Sequence, residues 1–138
     1  MATAEVDWSD PESVIEYLVG YSRVLNGVER PFDEVASHAF VRRDVERARN
    51  VPALQNHDVI ADDDRSREPL SSITVPTLVI HGTADPMFPL GHGQALTEEM
   101  PGATLLPLEG AGHGIDEADW ETITALILEH TRSADRAD

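Results

Sequence analysis

Residues 75–86 read Val-Pro-Thr-Leu-Val-Ile-His-Gly-Thr-Ala-Asp-Pro, and they give the clearest indication of the fold class. Its centre, Thr77 to His81, is a continuous apolar run that does not alternate with polar residues and that Gly82 ends. Such a run predicts a strand buried on both faces, as in a parallel sheet. A helix is predicted next, from Gly91 to Met100, and then a second strand from Thr104 to Leu108.

A final helix completes the pattern. Asp116 is predicted to cap it, and its tail is expected to fray from Ser133 onward. Four apolar side chains are expected to face inward: Trp120, Ile123, Leu126 and Ile127. Pro107 cannot donate a ladder hydrogen bond, so it should lie at a sheet edge or strand end. The order strand, helix, strand, helix predicts an α/β fold with a parallel sheet.

The chain before residue 68 contains only helical patterns. Ser9-Asp10-Pro11-Glu12 predicts the start of a first helix that Asn26-Gly27 ends. Asp33 is predicted to cap a second helix, and a short third helix is predicted from Ala53 to His57. One face of the second helix is expected to be buried through Val35, Ala36, Ala39 and Phe40, with Val45 and Ala48 as further candidates. A polar connection at 61–69 suggests a module boundary, with residues 1–68 on one side and 69–138 on the other.

Composition excludes several classes of function. The net charge is −16, and all ten basic residues are arginine, so binding to nucleic acid or to anionic lipid is not expected. The chain has no cysteine, which removes disulfides and thiolate ligands. The N-terminus does not resemble a signal peptide, and no apolar run reaches the ~18 residues of a membrane span. A cytoplasmic location without membrane contact is therefore expected.

Two loops follow the carboxyl ends of the two predicted strands, where ligands and catalytic groups collect in open α/β sheets. The first loop carries Asp85 and the second carries His113. Because adjacent strands lie ~4.8 Å apart, the carboxylate and the imidazole are expected to meet. A carboxylate on Nδ1 fixes one tautomer of the imidazole and leaves Nε2 free to take a proton from a nucleophile.

The stretch at 75–86, together with Gly110-Ala-Gly-His113-Gly, resembles the C-terminal end of the α/β-hydrolases. Within that group it is most similar to the esterases related to aclacinomycin methylesterase. The resemblance implies two parallel strands with flanking helices at 69–138, preceded by an α-helical cap at 1–68. It implies that Asp85 is the acid and His113 the base of a serine triad that acts on a small-molecule ester.

The chain departs from the family pattern because it contains no G-x-S-x-G motif and no counterpart of the upstream oxyanion-hole loop. We therefore expect the chain to be incomplete and inactive alone, with the serine supplied by a missing N-terminal half or another polypeptide. Two strands do not form a stable sheet by themselves, so pairing in a homo-oligomer or with a complementing chain is expected. A non-catalytic assembly or binding module is the alternative, and a remnant without function is a third.

Other polar residues receive more ordinary interpretations. His81 is expected to pack or hydrogen-bond, and His92 to begin a helix rather than to touch substrate. Met87 and Phe88 could line a pocket or simply pack, and Glu109 is a weaker competitor to Asp85 as the acid. No H-x-x-x-H or H-E-x-x-H motif occurs, so neither a metal nor another cofactor is expected.

Overall fold

The structure of the protein, a computed structural model, describes residues 6–59 and 68–134. Within them the chain forms two compact units, residues 6–24 with 32–59, and residues 25–31 with 68–134. The segment at 25–31 therefore belongs with the strand-bearing unit, although the sequence pattern gave no sign of this. The division into a cap and a core portion at residue 68 stays a prediction.

The first unit is helical. It contains α1 (Pro11–Leu25) except for its last residue, α2 (Glu34–Arg47) and a 3₁₀ helix at Val51–Val59 where the short third helix is predicted. Asp33 caps α2 as expected, since its Oδ1 accepts from the backbone N–H of Ala36 at 2.9 Å. The core of this unit consists of five buried aliphatic side chains: Val14, Ile15, Val19, Val41 and Val45.

The buried face of α2 differs in part from the prediction. Val35 and Phe40 are exposed, whereas Val45, a further candidate, is buried in the core of the first unit together with Val41, which the prediction left out. The helix carries apolar residues on two faces. Val41 and Val45 are four residues apart, so they lie on the same face, and this face packs against α1. The guanidinium of Arg43 lies 5.3 Å from the ring centroid of Phe40, so the exposed ring has a cationic neighbour.

The second unit contains β1 (Thr77–Gly82), α3 (Leu90–Glu99), β2 (Ala103–Leu108) and α4 (Trp120–Ala134). The strands are parallel, which confirms the predicted α/β order. Thr77 lies opposite Ala103, and Pro107 lies opposite His81 in a strand that, within residues 6–59 and 68–134, has a partner on one side only. Of the helices in the described residues, none is both long enough and apolar enough to cross a membrane.

Burial around the sheet is lower than predicted. Residues 77–81 of β1 are partly buried, none of them fully. Ile123 of α4 is buried, but Trp120 and Ile127 are about half exposed. The reason is that the sheet in the described residues has two strands, too narrow to cover both faces of a strand or all of a helix face.

Asp116 makes no side-chain capping hydrogen bond, because α4 begins at Trp120 after a 3₁₀ turn at Glu117–Asp119.

Backbone hydrogen bonds join the two loops that follow the strands. The N–H of Thr83 donates to the carbonyl of Leu108 at 3.0 Å, and the N–H of Ala84 donates to the carbonyl of Ala111 at 2.9 Å. In return, Thr83 Oγ1 accepts from the N–H of Gly110 at 2.8 Å. Gly82 permits this approach because a Cβ there would overlap the backbone carbonyls of the second loop. The loops are therefore held together by the main chain, independently of their functional side chains.

The segment Leu25–Pro31 supports the second loop from the other side. The carbonyl of Leu25 accepts from the N–H of His113 at 2.8 Å. Arg30 Nε donates to the carbonyl of Glu109 at 2.9 Å, and the same guanidinium makes two hydrogen bonds, at 2.6 and 3.1 Å, to the buried carboxylate of Asp119. The planar guanidinium of Arg30 thus connects Glu109, at the start of the second loop, with Asp119, which follows the loop.

Gly82 offers a test of this loop arrangement. We expect Gly82→Ala to lower the free energy of unfolding by about 1–3 kcal/mol, because the added methyl group overlaps main-chain carbonyls that cannot move independently. Urea denaturation followed by circular dichroism measures the change. Gly91→Ala is the control, because a Cβ at Gly91 of α3 has open space and alanine favours helix, so stability should be unchanged or slightly higher. Equal effects of the two substitutions would contradict the loop contact.

Candidate active site

Asp85 lies three residues beyond β1, and its side chain is only 5% exposed. Its Oδ1 accepts from two backbone amides, those of Met87 at 2.7 Å and Phe88 at 2.9 Å. An aspartate that binds the N–H groups two and three residues ahead closes a compact turn, and Pro86 within it fixes one backbone dihedral. The turn leaves the second carboxylate oxygen, Oδ2, for another donor.

His113 supplies that donor. Its Nδ1 lies 2.8 Å from Asp85 Oδ2, so the structure brings together the two residues that the sequence singled out. Because an ionised carboxylate only accepts hydrogen bonds, the proton of the neutral ring belongs on Nδ1. Nε2 has no hydrogen-bonding partner among residues 6–59 and 68–134, and the side chain is 35% exposed. A neutral imidazole in this state can accept a proton at Nε2.

The pKa of Asp85 lies below its ordinary value. Burial acts to raise the pKa, but the hydrogen bonds from the Phe88 amide, the His113 ring and the Met87 amide together outweigh it. The carboxyl group is therefore ionised at neutral pH. It can fix the His113 tautomer and stabilise a positive charge when the ring gains a proton.

An open cleft of about 700 Å³ borders the pair. Its wall includes both Asp85 and His113, and Phe88, His92 and Leu96 are among the side chains that extend it. The Phe88 ring lies 5.5 Å from the ring of His113 and 5.5 Å from that of His92. His92 is in the first turn of α3, as predicted, but it also lines the cleft.

The remaining candidates serve other purposes, although His81 Nε2 comes within 3.9 Å of Asp85 Oδ2, which is beyond hydrogen-bonding distance. His81 hydrogen-bonds as predicted, since its Nε2 is 2.8 Å from the carbonyl of Phe88. Glu109 contributes its backbone carbonyl to Arg30 and takes no part in the hydrogen bonds of His113. Within the described ranges, no three His, Cys, Asp or Glu side chains cluster in a way that could hold a metal ion.

Sequence reasoning missed Arg30 and Asp119, which form the bidentate pair behind the His113 loop. They are 89 residues apart, and neither belongs to a local motif. The one available signal was composition, because in a chain with 26 acidic and ten basic residues the numbers alone favour the pairing of an arginine with a carboxylate. Composition does not indicate which carboxylate it binds.

Comparisons with known proteins give related results. The family described as TAP-like protein matches residues 48–132. Rhodomycin D methylesterase DauP of Streptomyces sp. (strain C5) is 35% identical over 127 residues, and the DnrP methylesterase of Streptomyces peucetius is 34% identical over the same length. Each alignment covers 89% of this chain but 42% of the relative, so the chain spans less than half the length of these proteins.

Two solved structures share the fold. An esterase from Exiguobacterium antarcticum superposes with a TM-score of 0.65 at 23% identity, covering 90% of this chain and 45% of the esterase. A bromoperoxidase from Bacillus anthracis gives the same TM-score at 17% identity, covering 86% and 44%. The parallel β1–β2 pair and the flanking helices are consistent with part of the same architecture. The chain belongs to the TAP-like protein family of α/β-hydrolases and corresponds to the C-terminal part of an esterase-type fold.

Proposed function

We propose that Asp85 and His113 are the acid and the base of a serine carboxylic-ester hydrolase. One observation carries the proposal, namely the 2.8 Å contact between His113 Nδ1 and Asp85 Oδ2, which leaves Nε2 without a hydrogen-bonding partner among the described residues. The order of acid before histidine along the chain is that of the α/β-hydrolases. Membership of the family supports the same assignment.

The chemistry follows from the free Nε2. His113 takes the proton of a serine hydroxyl as the oxygen attacks the ester carbonyl, and it returns that proton to the departing alcohol oxygen. The imidazolium formed between these steps is stabilised by the adjacent carboxylate of Asp85. In the second half of the cycle His113 activates water in the same way, which releases the acid and restores the serine.

The proposal assigns the nucleophile and the oxyanion-binding amides to a polypeptide segment outside these 138 residues, because the chain has no G-x-S-x-G motif. The 138-residue chain alone would then be inactive. The two methylesterases among its relatives favour a small-molecule ester as the substrate of the completed enzyme. A cytoplasmic location stays part of the same proposal.

Complementation tests the assignment. The chain would be co-expressed with the part of DauP that it does not match, and hydrolysis of p-nitrophenyl acetate would be followed by absorbance. We expect turnover only from the combined chains, and Asp85→Asn or His113→Gln in the present chain should lower it by about 10³–10⁴-fold.

Glu109→Gln is the matched control, since it removes a neighbouring carboxylate that does not contact His113. Its activity should equal that of the unmodified chain. Steady hydrolysis by the isolated chain, titratable with an active-site reagent, would show that the nucleophile lies within it. Full activity of the His113→Gln complex would remove the base from the mechanism.

The ionised state of Asp85 predicts a pH dependence of stability. A carboxyl group whose pKa is lowered by folding stabilises the fold above its unfolded pKa, and it loses this effect as the pH falls through the folded pKa. The difference in unfolding free energy between the unmodified chain and Asp85→Asn should therefore be constant above about pH 5 and shrink below about pH 4. Urea titrations at a series of pH values from below about pH 4 to above about pH 5 measure this difference. A difference that grows on acidification would be the contrary result.

A second candidate function is an assembly module that pairs its sheet edge with another chain. The observation that favours it is that β1 pairs with β2 alone in the described residues, so its other edge carries no strand there. Unpaired backbone groups on such an edge can pair with a second polypeptide. A homo-oligomer and a complementing chain are the two partners that this proposal allows.

Light scattering coupled to size-exclusion chromatography tests the edge proposal. We expect the isolated chain to elute as a dimer or larger species, and we expect the complementing part of DauP to convert it into a one-to-one complex. A monomer that unfolds cooperatively in urea would instead show that the two-stranded sheet needs no partner.

A further inference from the structure

A chain of hydrogen bonds runs from β1 to the proposed base, and Phe88 is its central residue. His81 Nε2 lies 2.8 Å from the carbonyl of Phe88, and because a carbonyl only accepts, this ring nitrogen carries the proton. The N–H of Phe88 donates to Asp85 Oδ1 at 2.9 Å. Asp85 Oδ2 in turn binds His113 Nδ1 at 2.8 Å. The backbone of one residue thus connects the strand to the carboxylate.

The ring of Phe88 makes a second connection. It lies 5.5 Å from the imidazole of His113, with the planes tilted by 48°. Whatever fixes the main chain of Phe88 therefore fixes both a donor to Asp85 and a neighbour of the His113 ring. In a turn whose side chains at 87 and 88 are more than 40% exposed, packing alone provides little restraint.

His81 is itself held firmly. Its side chain is only 12% exposed, and a Cβ built on Gly93 of α3 would lie 3.0 Å from two ring atoms. Glycine at 93 therefore lets the helix backbone approach the imidazole face, which leaves the ring little freedom to rotate. The ring lies on a regular strand, so its Nε2–H forms a fixed donor at the end of the Asp85 turn.

We propose that His81 is a positioning residue that acts through Phe88 to hold Asp85 in place and so fixes the Nδ1–H tautomer of His113. The proposal rests on the proposed function only in treating the Asp85–His113 pair as catalytic. The hydrogen bonds that carry it exist whatever the reaction is. Supporting groups of this kind normally set the geometry of a site to within a fraction of an ångström.

Two substitutions of His81, by Gln and by Asn, test whether a hydrogen-bond donor at the position of Nε2 is required. Both introduce an amide, but the two side chains differ in length. The side-chain nitrogen of Gln can occupy the position of His81 Nε2, whereas that of Asn reaches only as far as Nδ1. At neutral pH, a long-range ¹H–¹⁵N correlation spectrum of the full chain reports the His113 tautomer. We expect His81→Gln to keep the Nδ1–H form, and His81→Asn to lower the ratio of Nδ1–H to Nε2–H by about three- to tenfold, as loss of one hydrogen bond implies.

Gly93→Ala provides a measurement that keeps His81 in the chain. The added methyl group pushes the imidazole ring away from α3, so the ratio at His113 should shift in the same direction as in His81→Asn. His130→Gln is the control, because His130 Nε2 also lies within hydrogen-bonding distance of a backbone carbonyl, that of Pro76 at 3.3 Å, but does not hydrogen-bond to Phe88. Circular dichroism of each variant establishes that the fold is retained.

An unchanged His113 tautomer in folded His81→Asn overturns the proposal, and so does a shift in His81→Gln equal to that in His81→Asn. If His81→Asn does not fold, the Gly93→Ala spectrum decides alone, and an unchanged ratio there overturns the proposal as well. If complementation gives no esterase activity but the variants show the expected tautomer shifts, the proposed function is wrong and the positioning role of His81 still holds. The two failures are therefore distinguishable.

Discussion

The site depends on a single constraint, that two loops from neighbouring parallel strands place a carboxylate within 2.8 Å of an imidazole. The strands set the spacing, and the register is set by hydrogen bonds from the backbone N–H groups of Thr83 and Ala84 to the loop at 108–111, with the Thr83 hydroxyl accepting one in return. Gly82 allows the loops to touch because it has no side chain. The side-chain contact is thus the result of backbone packing that would exist without it, which is how a fold provides a preorganised pair of groups.

Much of this arrangement could be predicted because its determinants are local. The apolar run at 77–81, the glycine that ends it and the prolines and glycines of the two loops each act over a few residues. Once the two strands are taken as parallel neighbours, the proximity of Asp85 and His113 follows from the strand spacing. The cap at Asp33 was predictable for the same reason, since an N-cap bond spans only three residues.

The rest depends on contacts between distant parts of the chain. The segment Leu25–Pro31 binds the His113 loop through the Leu25 carbonyl and the Arg30 guanidinium, across about 80 residues of sequence. No periodicity encodes such a pairing. The predicted buried face of α2 was wrong at Val35 and Phe40, because the helix has two apolar faces and the one with Val41 and Val45 packs into the core. Trp120 is about half exposed although helical spacing predicts it to face inward, because the two-stranded sheet of the described residues is too narrow to cover it.

The central claim is that Asp85 holds His113 with its proton on Nδ1. The most direct measurement is the ¹⁵N chemical shift pair of the His113 ring at neutral pH, in the unmodified chain and in Asp85→Asn. We expect one protonated nitrogen, Nδ1, and one bare nitrogen, Nε2, in the unmodified chain, with the preference lost in the variant. A ring protonated mainly on Nε2 in the unmodified chain, unaffected by the substitution, would contradict the claim.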